Sequence, residues 1–302
     1  MKQGRDFFSD ENDKRKYVLE CETEFENELD RAVKSIYSSE KARIITLSGP
    51  SCSGKTTTAK KIVRDFTSLG RSVHVISIDD FYRDRDELLR EAESENLTPD
   101  FDSAKSIDIP SLGRAIDSIF SSDAVTIPKF DFTRGKKTEE IEYRINENDV
   151  FIFEGIQAMY PEVTSLFNGR KHTSIYVSVE DTLCVCGEIF LPEEIRFFRR
   201  LVRDYKFRNS SPEFTFEIWR SVRENEEKNI FPYKELCDIK INSLLSYEIS
   251  MIKPYLLSLL ESISEKSEYY GKAQEIINKI KCIPQISAEY MPTESVYHEF
   301  LG

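Results

Sequence analysis

The chain has 302 residues, and its 42 Lys and Arg against 54 Asp and Glu give a formal net charge of −12. Hydrophobic residues make up 39% of it, including 20 Phe and 14 Tyr, which is enough for a substantial core and excludes wholesale disorder. The acidic balance argues against a general nucleic-acid binder or a protein of anionic membrane surfaces, because no net positive field draws the chain to phosphate groups.

The first part of the chain predicts a polar start and then a helix. Residues 1–15 are charged, are expected to be frayed, and lack the apolar core of a signal peptide. Residues 16–38 carry apolar side chains at helical spacing, which predicts an amphipathic helix. No stretch approaches the ~18–20 apolar residues of a membrane span. We therefore expect a cytoplasmic protein with no membrane partner, whose six cysteines are free thiols.

Strands and helices then alternate along the chain. Apolar runs predict strands over residues 42–48, 72–78, 124–128, 149–154, 173–179 and 237–241. Amphipathic spacing predicts helices over residues 55–69, 112–120, 192–207, 212–229, 246–262 and 267–281. The charged residues 83–103 predict a mobile loop or a partial helix, and residues 138–145 predict a hairpin arm. This alternation implies right-handed crossovers and a mostly parallel sheet with helices on both faces, which is an α/β fold.

A phosphate-binding loop is predicted directly after the first strand of this sheet. Residues 49–56 fit the pattern of a glycine, four residues and Gly-Lys-Thr, between a strand and a helix. The glycines let successive N–H groups face an anion, and the helix N-terminus adds its own N–H donors. Lys55 supplies a charge for the β- and γ-phosphates, and Thr56 offers a hydroxyl to Mg²⁺. The fold is therefore predicted to be of the P-loop NTPase type.

The cofactors predicted from this loop are ATP and Mg²⁺. The chain lacks the Asn-Lys-x-Asp segment that reads guanine in GTPases, so guanine specificity is not expected. The predicted nucleotide-binding residues are Gly49, Pro50, Ser51, Cys52, Ser53, Gly54, Lys55, Thr56 and Thr57.

Acidic residues end two other predicted strands. Glu154 follows four apolar residues and precedes Gly155, and in a parallel sheet it would lie beside Lys55 and hold Mg²⁺. Asp79 and Asp80 end the strand before it. Because side chains alternate along a strand, only one of them is expected to face the site, and we favour Asp79 as the base for an attacking hydroxyl. The alternative for both ends is that the carboxylates only cap turns.

Arginines recur at helical spacing in the predicted helix over 192–207. The stripe places four guanidinium groups on one face, with a fifth just beyond, and consists of Arg196, Arg199, Arg200, Arg203 and Arg208. We interpret it as a lid helix that closes over the triphosphate and stabilises charge on the transferred group. Two alternatives are a solvated face paired with nearby acidic residues and a groove for nucleic acid.

The order of these segments resembles the uridine kinase / phosphoribulokinase family, in particular its bacterial uridine kinase-like branch. The resemblance covers about residues 42–245 and is carried by Gly-Pro-Ser-Cys-Ser-Gly-Lys-Thr at 49–56, Ser-Ile-Asp-Asp-Phe-Tyr at 77–82, Pro-Lys-Phe-Asp-Phe at 128–132, Phe-Glu-Gly-Ile at 153–156 and Arg-Arg-Leu-Val-Arg-Asp at 199–204. We therefore expect a kinase domain over 42–245, with helical extensions over 1–41 and 246–302 that pack on the sheet or form a subunit interface of a homo-oligomer.

The family phosphorylates the 5′-hydroxyl of a nucleoside with ATP and Mg²⁺, and the resemblance implies the same roles here. It implies that Asp79 contacts the acceptor hydroxyl as base and that Glu154 serves Mg²⁺. Tyr82 and Phe130 are implied in the nucleoside pocket, with Asp102 on the ribose hydroxyls. Finally, it implies lid contacts to acceptor and phosphates from Arg200, Arg203 and Arg208.

Two departures from the family pattern concern the acceptor. Uridine kinases usually carry a pyrimidine-reading His shortly after the segment matched at 128–132, and residues 133–136 contain none. Asn209-Ser210 stands where a further arginine is usual. The sequence therefore leaves open an acceptor such as a sugar phosphate or pantothenate, for which Arg134, Lys136 and Lys137 could bind a phosphate. A non-catalytic ATP-binding regulatory protein is the alternative outside the enzymes.

Overall fold

The computed structural model describes residues 1–38, 43–97, 101 and 103–302. Its strands are β1 (Lys2–Gln3), β2 (Ile44–Ser48), β3 (Val73–Ser77), β4 (Ala124–Asp131), β5 (Lys136–Arg144), β6 (Val150–Glu154), β7 (His172–Ser178), β8 (Leu183–Val185), β9 (Glu188–Phe190) and β10 (Ile239–Asn242). Its α-helices are α1 (Glu11–Ser38), α2 (Lys55–Ser68), α3 (Arg85–Ser94), α4 (Ile109–Ser121), α5 (Pro161–Thr164), α6 (Pro192–Arg208), α7 (Pro212–Asn229), α8 (Glu248–Glu261), α9 (Tyr270–Ile280) and α10 (His298–Leu301).

Five parallel strands form the central sheet, in the order β10-β7-β2-β6-β3. The middle strands β2 and β6 are almost continuously apolar and buried, as expected where helices cover both faces. The register pairs Glu154 with Leu47 on one side and with Ser77 on the other. The carboxyl ends of β2, β6 and β3 therefore meet at one edge of the sheet. The predicted α/β fold with a mostly parallel sheet is confirmed.

Alternate residues along the strands of the sheet contribute their side chains to two separate hydrophobic cores. Ile45 and Ile152 lie in the core that also buries apolar residues of α1, α2, α6 and α8. Ile44 and Phe151, their chain neighbours, lie in the second core with α4 and strand β4. Successive side chains of a strand point to opposite faces, so this division means that helices pack on both faces of the sheet.

The N-terminal residues differ from the expectation that 1–15 are frayed. Strand β1 pairs in parallel with β8, where Lys2 faces Leu183, and α1 begins at Glu11. Arg5 also donates to Asp13 at 2.8 Å and to Glu20 at 2.9 Å. The prediction that these residues are frayed is wrong for two reasons. The partner of β1 lies far away in the sequence, and the segment itself carries no apolar pattern that would indicate a strand.

Strands β4 and β5 form an antiparallel hairpin that is separate from the central sheet, so the predicted hairpin arm is confirmed and is longer than expected. Within the charged segment predicted as a loop or a partial helix, residues 85–94 form α3. The C-terminal helices α8 and α9 pack on each other, and α8 packs on α6. The boundaries proposed at residues 41 and 245 remain predictions.

Candidate active site

The loop that joins β2 to α2 has the backbone of an anion cradle. Gly54 has φ 89°, in the left-handed region, and Cys52 has φ 59°. A Cβ on Gly54 would lie only 2.7 Å from Cγ2 of Val296, so this position has room for glycine alone. Helix α2 begins at Lys55, directly after the left-handed residue. The predicted strand–loop–helix context of the phosphate loop is therefore present.

Lys55 folds back across this loop. Its Nζ donates to the carbonyl oxygen of Gly49 at 3.1 Å and to that of Pro50 at 3.0 Å. These bonds place the ammonium group at the loop, at the position where an anion held by the loop would meet it.

Two predicted carboxylates lie beside Lys55 at the edge of the sheet. Glu154 ends β6, and Asp79 lies in the short 3₁₀ helix Ile78–Phe81 that follows β3. Burial raises the pKa of Glu154, the charge of Lys55 opposes this, and the charges of Asp79 and Glu299 raise it further. The end of β6, the 3₁₀ helix after β3 and the start of α2 thus bring Asp79 and Lys55 within electrostatic range of Glu154. The prediction that Asp79 and Asp80 end the strand itself is wrong, because β3 ends at Ser77 and the chain turns into the 3₁₀ helix.

The two adjacent aspartates have different surroundings. The Asp80 side chain is buried, with the residue 7% exposed, and its Oδ2 lies 2.5 Å from Nζ of Lys129. Its Oδ1 accepts a hydrogen bond from the N–H of Phe130 at 3.3 Å. Asp80 therefore ties the 3₁₀ helix to the β4–β5 hairpin, whereas Asp79 interacts with Glu154. This separation agrees with the choice of Asp79, whose role as base remains a prediction.

An aromatic cluster lies next to these carboxylates. The ring of Tyr82 lies 5.6 Å from that of Phe130, and Phe132 is 5.9 Å from Tyr82 and 5.2 Å from Phe130. The Tyr82 hydroxyl accepts a hydrogen bond from Nε2 of Gln157 at 2.8 Å. The two residues implied for the nucleoside pocket are thus brought together, and Phe132 joins them. Asp102, implied for the ribose, lies outside the described residues.

Helix α6 packs its arginine stripe onto the phosphate loop. Arg196 donates to the carbonyl oxygen of Ser51 at 3.1 Å, and Arg199 donates to that of Cys52 at 3.2 Å. Arg200 donates to Oγ of Ser51 at 2.9 Å. Arg196 and Arg199 are 2% and 0% exposed, so the alternative of a solvated face is wrong for this half of the stripe.

The remaining predicted arginines gather around one acidic residue. Asp204 is 3.1 Å from Arg200, 2.7 Å from Arg203 and 3.5 Å from the more exposed Arg208. Three guanidinium groups share this carboxylate, and the charge of Glu299 acts on Arg203 in addition, so the cluster carries net positive charge next to the phosphate loop. This charge fits an anionic ligand, and the lid role of these arginines stays a prediction.

Sequence reasoning missed three glutamates that contact the loop, α2 or α6. Glu226 of α7 pairs with Arg196 at 2.6 and 2.8 Å and accepts the Ser51 N–H at 3.2 Å. Glu248 of α8 pairs with Arg199, and Glu299 near the C-terminus contacts Thr57. Each lies in a polar or mixed helix far along the chain, and no local pattern distinguishes it from a surface glutamate.

The residues present fit the predicted cofactors. The Ser53 hydroxyl lies in the loop, fully buried, and has no hydrogen-bond partner among the described residues, so it can donate to a phosphate oxygen. Thr56 and Glu154 offer hydroxyl and carboxylate oxygens, the donors that Mg²⁺ prefers. Among the residues outside the gaps at 39–42, 98–100 and 102, no group of three or more His, Cys, Asp and Glu could hold a metal ion alone.

Comparisons with known proteins relate the sequence to one family of kinases. The sequence model of the Phosphoribulokinase / Uridine kinase family matches residues 44–250, more than half of the chain. A uridine kinase from Deinococcus deserti is 27% identical over 199 residues, 66% of this chain and 86% of that protein. A uridine kinase from Pasteurella multocida is 29% identical over 222 residues, 72% of this chain and 94% of that protein. The solved structure of a phosphoribulokinase from Rhodobacter spheroides aligns with TM-score 0.46 at 14% identity, over 80% of this chain and 98% of that one.

Proposed function

The chain belongs to the phosphoribulokinase / uridine kinase family, and on this premise we propose that it is an ATP-dependent kinase acting on the 5′-hydroxyl of a nucleoside. The family resemblance read from the sequence is thereby confirmed. The observation that supports the activity is the meeting of a phosphate loop, Lys55, Asp79 and Glu154 at one edge of the sheet, next to an aromatic cluster.

We propose roles for these residues that the family resemblance implies and that this arrangement supports. The loop N–H groups and Lys55 bind and neutralise the phosphates, while Thr56 and Glu154 would hold Mg²⁺. Bound Mg²⁺ supplies positive charge to the phosphoryl group. Asp79 orients the acceptor hydroxyl and takes its proton. Arg200 and Arg203 stabilise negative charge on the transferred group and exclude water from the site.

The acceptor pocket supports a nucleoside over a sugar phosphate. Tyr82, Phe130 and Phe132 present ring faces on which a base can stack. Two of the basic residues considered for an acceptor phosphate are already paired, because Arg134 lies 3.5 Å from Asp131 and Lys137 lies 2.6 Å from Asp108. Their charge is therefore offset before any acceptor binds. We assign the ribose hydroxyls to Asp102 on the family resemblance alone.

Acceptor-dependent ADP release tests this proposal. The protein is incubated with Mg²⁺ and ATP against nucleosides, sugar phosphates and pantothenate, with the variants Asp79→Ala and Lys55→Ala in parallel. We expect one nucleoside to stimulate ADP release, and Asp79→Ala to lower kcat by about 10²–10⁴-fold while ATP binding is retained. Lys55→Ala should weaken ATP binding itself. Stimulation by a sugar phosphate or pantothenate would name another acceptor class, and ATP binding without stimulation by any acceptor would favour a regulatory protein.

The cellular setting is a separate proposal. In the described part of the chain, no helix has the length and apolar character needed to cross a membrane. All six cysteines are free thiols, as predicted, which fits a reducing compartment. We therefore propose a cytoplasmic location. We also propose that the protein acts on a small-molecule acceptor and on no nucleic acid. Homo-oligomer formation through the terminal helices remains a hypothesis.

A further inference from the structure

The last residues of the chain reach the phosphate loop. Residues 296–302, which we call the tail, lie beyond the segment 44–250 that matches the family. The tail carries helix α10, which packs on α6. The family match therefore does not account for the contacts that these residues make with the site.

Glu299 of the tail binds the first turn of α2. Its Oε2 accepts from the N–H of Thr57 at 3.4 Å and from the Thr57 hydroxyl at 3.3 Å. The first intrahelical bond of α2 runs from the N–H of Thr58 to the carbonyl oxygen of Gly54 at 3.0 Å, so the Thr57 N–H is among those that the helix leaves for other acceptors. A carboxylate at this helix end is an anion in the place where the loop and helix are built to receive anions.

This position places Glu299 among other carboxylates. Its charge contributes to the raised pKa of Glu154, together with that of Asp79. These like charges repel one another, and the positive charges of Lys55 at Glu154 and of Arg203 at Glu299 partly offset the repulsion. A nucleotide phosphate placed beside Glu299 would add to the repulsion. The Glu299 carboxylate and a phosphate at Thr57 therefore cannot share the same donors.

The backbone of the tail is firmly anchored. Val296, Tyr297, Phe300 and Leu301 are buried. The Tyr297 hydroxyl donates to the carbonyl oxygen of Glu248 at 3.3 Å, and the guanidinium carbon of Arg199 lies 4.9 Å from the centre of the Phe300 ring. Glu299 itself is only partly buried. Its carboxylate can therefore leave Thr57 by side-chain rotation while the tail stays in place.

We propose that Glu299 is an intramolecular competitor for the nucleotide: its carboxylate holds the anion position at Thr57 until a nucleotide phosphate displaces it. The inference rests on the proposed nucleotide site and assigns the tail a part in setting the affinity of that site. Removal of the negative charge of Glu299 should strengthen nucleotide binding, whereas a residue that helped to hold the nucleotide would have the opposite effect.

Calorimetric binding of Mg²⁺-ADP to the full chain tests this inference. The variants are Glu299→Gln, which keeps the shape of the side chain, and Glu299→Ala. Glu294→Gln is the matched control, because it removes the same charge from an exposed residue close to the tail. Lys55→Ala shows whether ADP occupies the phosphate loop. Melting temperatures without ligand verify that each variant is folded.

We expect both Glu299 variants to lower the Kd for Mg²⁺-ADP by about 2–10-fold, with Glu294→Gln unchanged. An unchanged or weaker affinity of Glu299→Gln, with wild-type binding that depends on Lys55, would overturn the role of the tail and leave the proposed function standing. An equal gain in affinity in Glu294→Gln would show that the effect comes from the overall charge of the protein, and it would also overturn the role of the tail. Failure of the wild type to bind, or binding that is indifferent to Lys55→Ala, would overturn the nucleotide site and the inference together.

Discussion

The guanidinium group of Arg199 and the carboxylate of Glu248 form a two-bond ion pair from which solvent is fully excluded. The two contacts are 2.7 and 2.9 Å long, and both side chains are 0% exposed. Arg199 also donates to the carbonyl oxygens of Cys52 and Ser243. One side chain therefore connects α6, α8 and the phosphate loop.

Loss of one partner of this pair should strongly destabilise the protein. Glu248→Ala leaves the buried Arg199 charge without its carboxylate, and we expect a loss of about 3–5 kcal/mol in the free energy of unfolding. Chemical denaturation followed by circular dichroism measures it. The control is Glu224→Ala, whose partner Arg220 is largely exposed and whose loss should cost under about 1 kcal/mol. Equal effects of the two substitutions would contradict a structural role for the buried pair.

Substitution of the two adjacent aspartates, Asp79 and Asp80, should affect the stability and the activity of the protein to different extents. Asp80→Asn removes the charge that pairs with Lys129 in a buried position, so we expect a loss of about 1–3 kcal/mol in stability. Asp79→Asn should cost less stability, since the charge of Asp79 repels that of Glu154. The loss of kcat should be larger in Asp79→Asn than in Asp80→Asn when each variant is assayed below its melting temperature. A larger stability loss in Asp79→Asn would show that the roles are exchanged.

Glu154 should make the protein less stable as the pH rises. Its pKa in the folded chain is raised by burial, so the folded state favours the protonated form and loses stability as the pH rises through that pKa. Glu154→Gln should therefore melt at a higher temperature than the wild type at pH 7–8, with the gain shrinking towards pH 4. Melting curves across this range measure the effect, and a gain that does not vary with pH would count against it. Activity should fall in the same variant, because Mg²⁺ loses its carboxylate.

Phe132 should contribute to acceptor binding and not to ATP binding. It is 56% exposed and contacts the rings of Tyr82 and Phe130, so its truncation should cost little stability. Stacking of a base on an aromatic side chain is worth about 1–3 kcal/mol, so Phe132→Ala should raise the acceptor KM by roughly 5–150-fold. Phe7→Ala, at a residue 78% exposed, is the matched control and should leave both KM values unchanged. A rise in the KM for ATP alone would place Phe132 outside the acceptor pocket.

The parts of the site that could be predicted from sequence are those built from consecutive residues. The phosphate loop, the strand-end carboxylates and the arginine spacing are local patterns, and a parallel sheet brings strand ends to one edge. Glu226 could not be found in this way, because it meets Ser51 across 175 positions of sequence. The prediction that residues 1–15 are frayed is wrong for the same reason. A strand as short as Lys2–Gln3 is defined by its partner β8 and not by its own composition.

The contact between Gly54 and Val296 joins the start of the kinase segment to the end of the chain. During synthesis on the ribosome, the glycine leaves the exit tunnel long before the valine is added. The phosphate loop therefore acquires its neighbour Val296 long after the loop itself has been synthesised. A chain that stops at residue 250 contains every residue matched to the family and still lacks Val296, which packs against Gly54 of the phosphate loop.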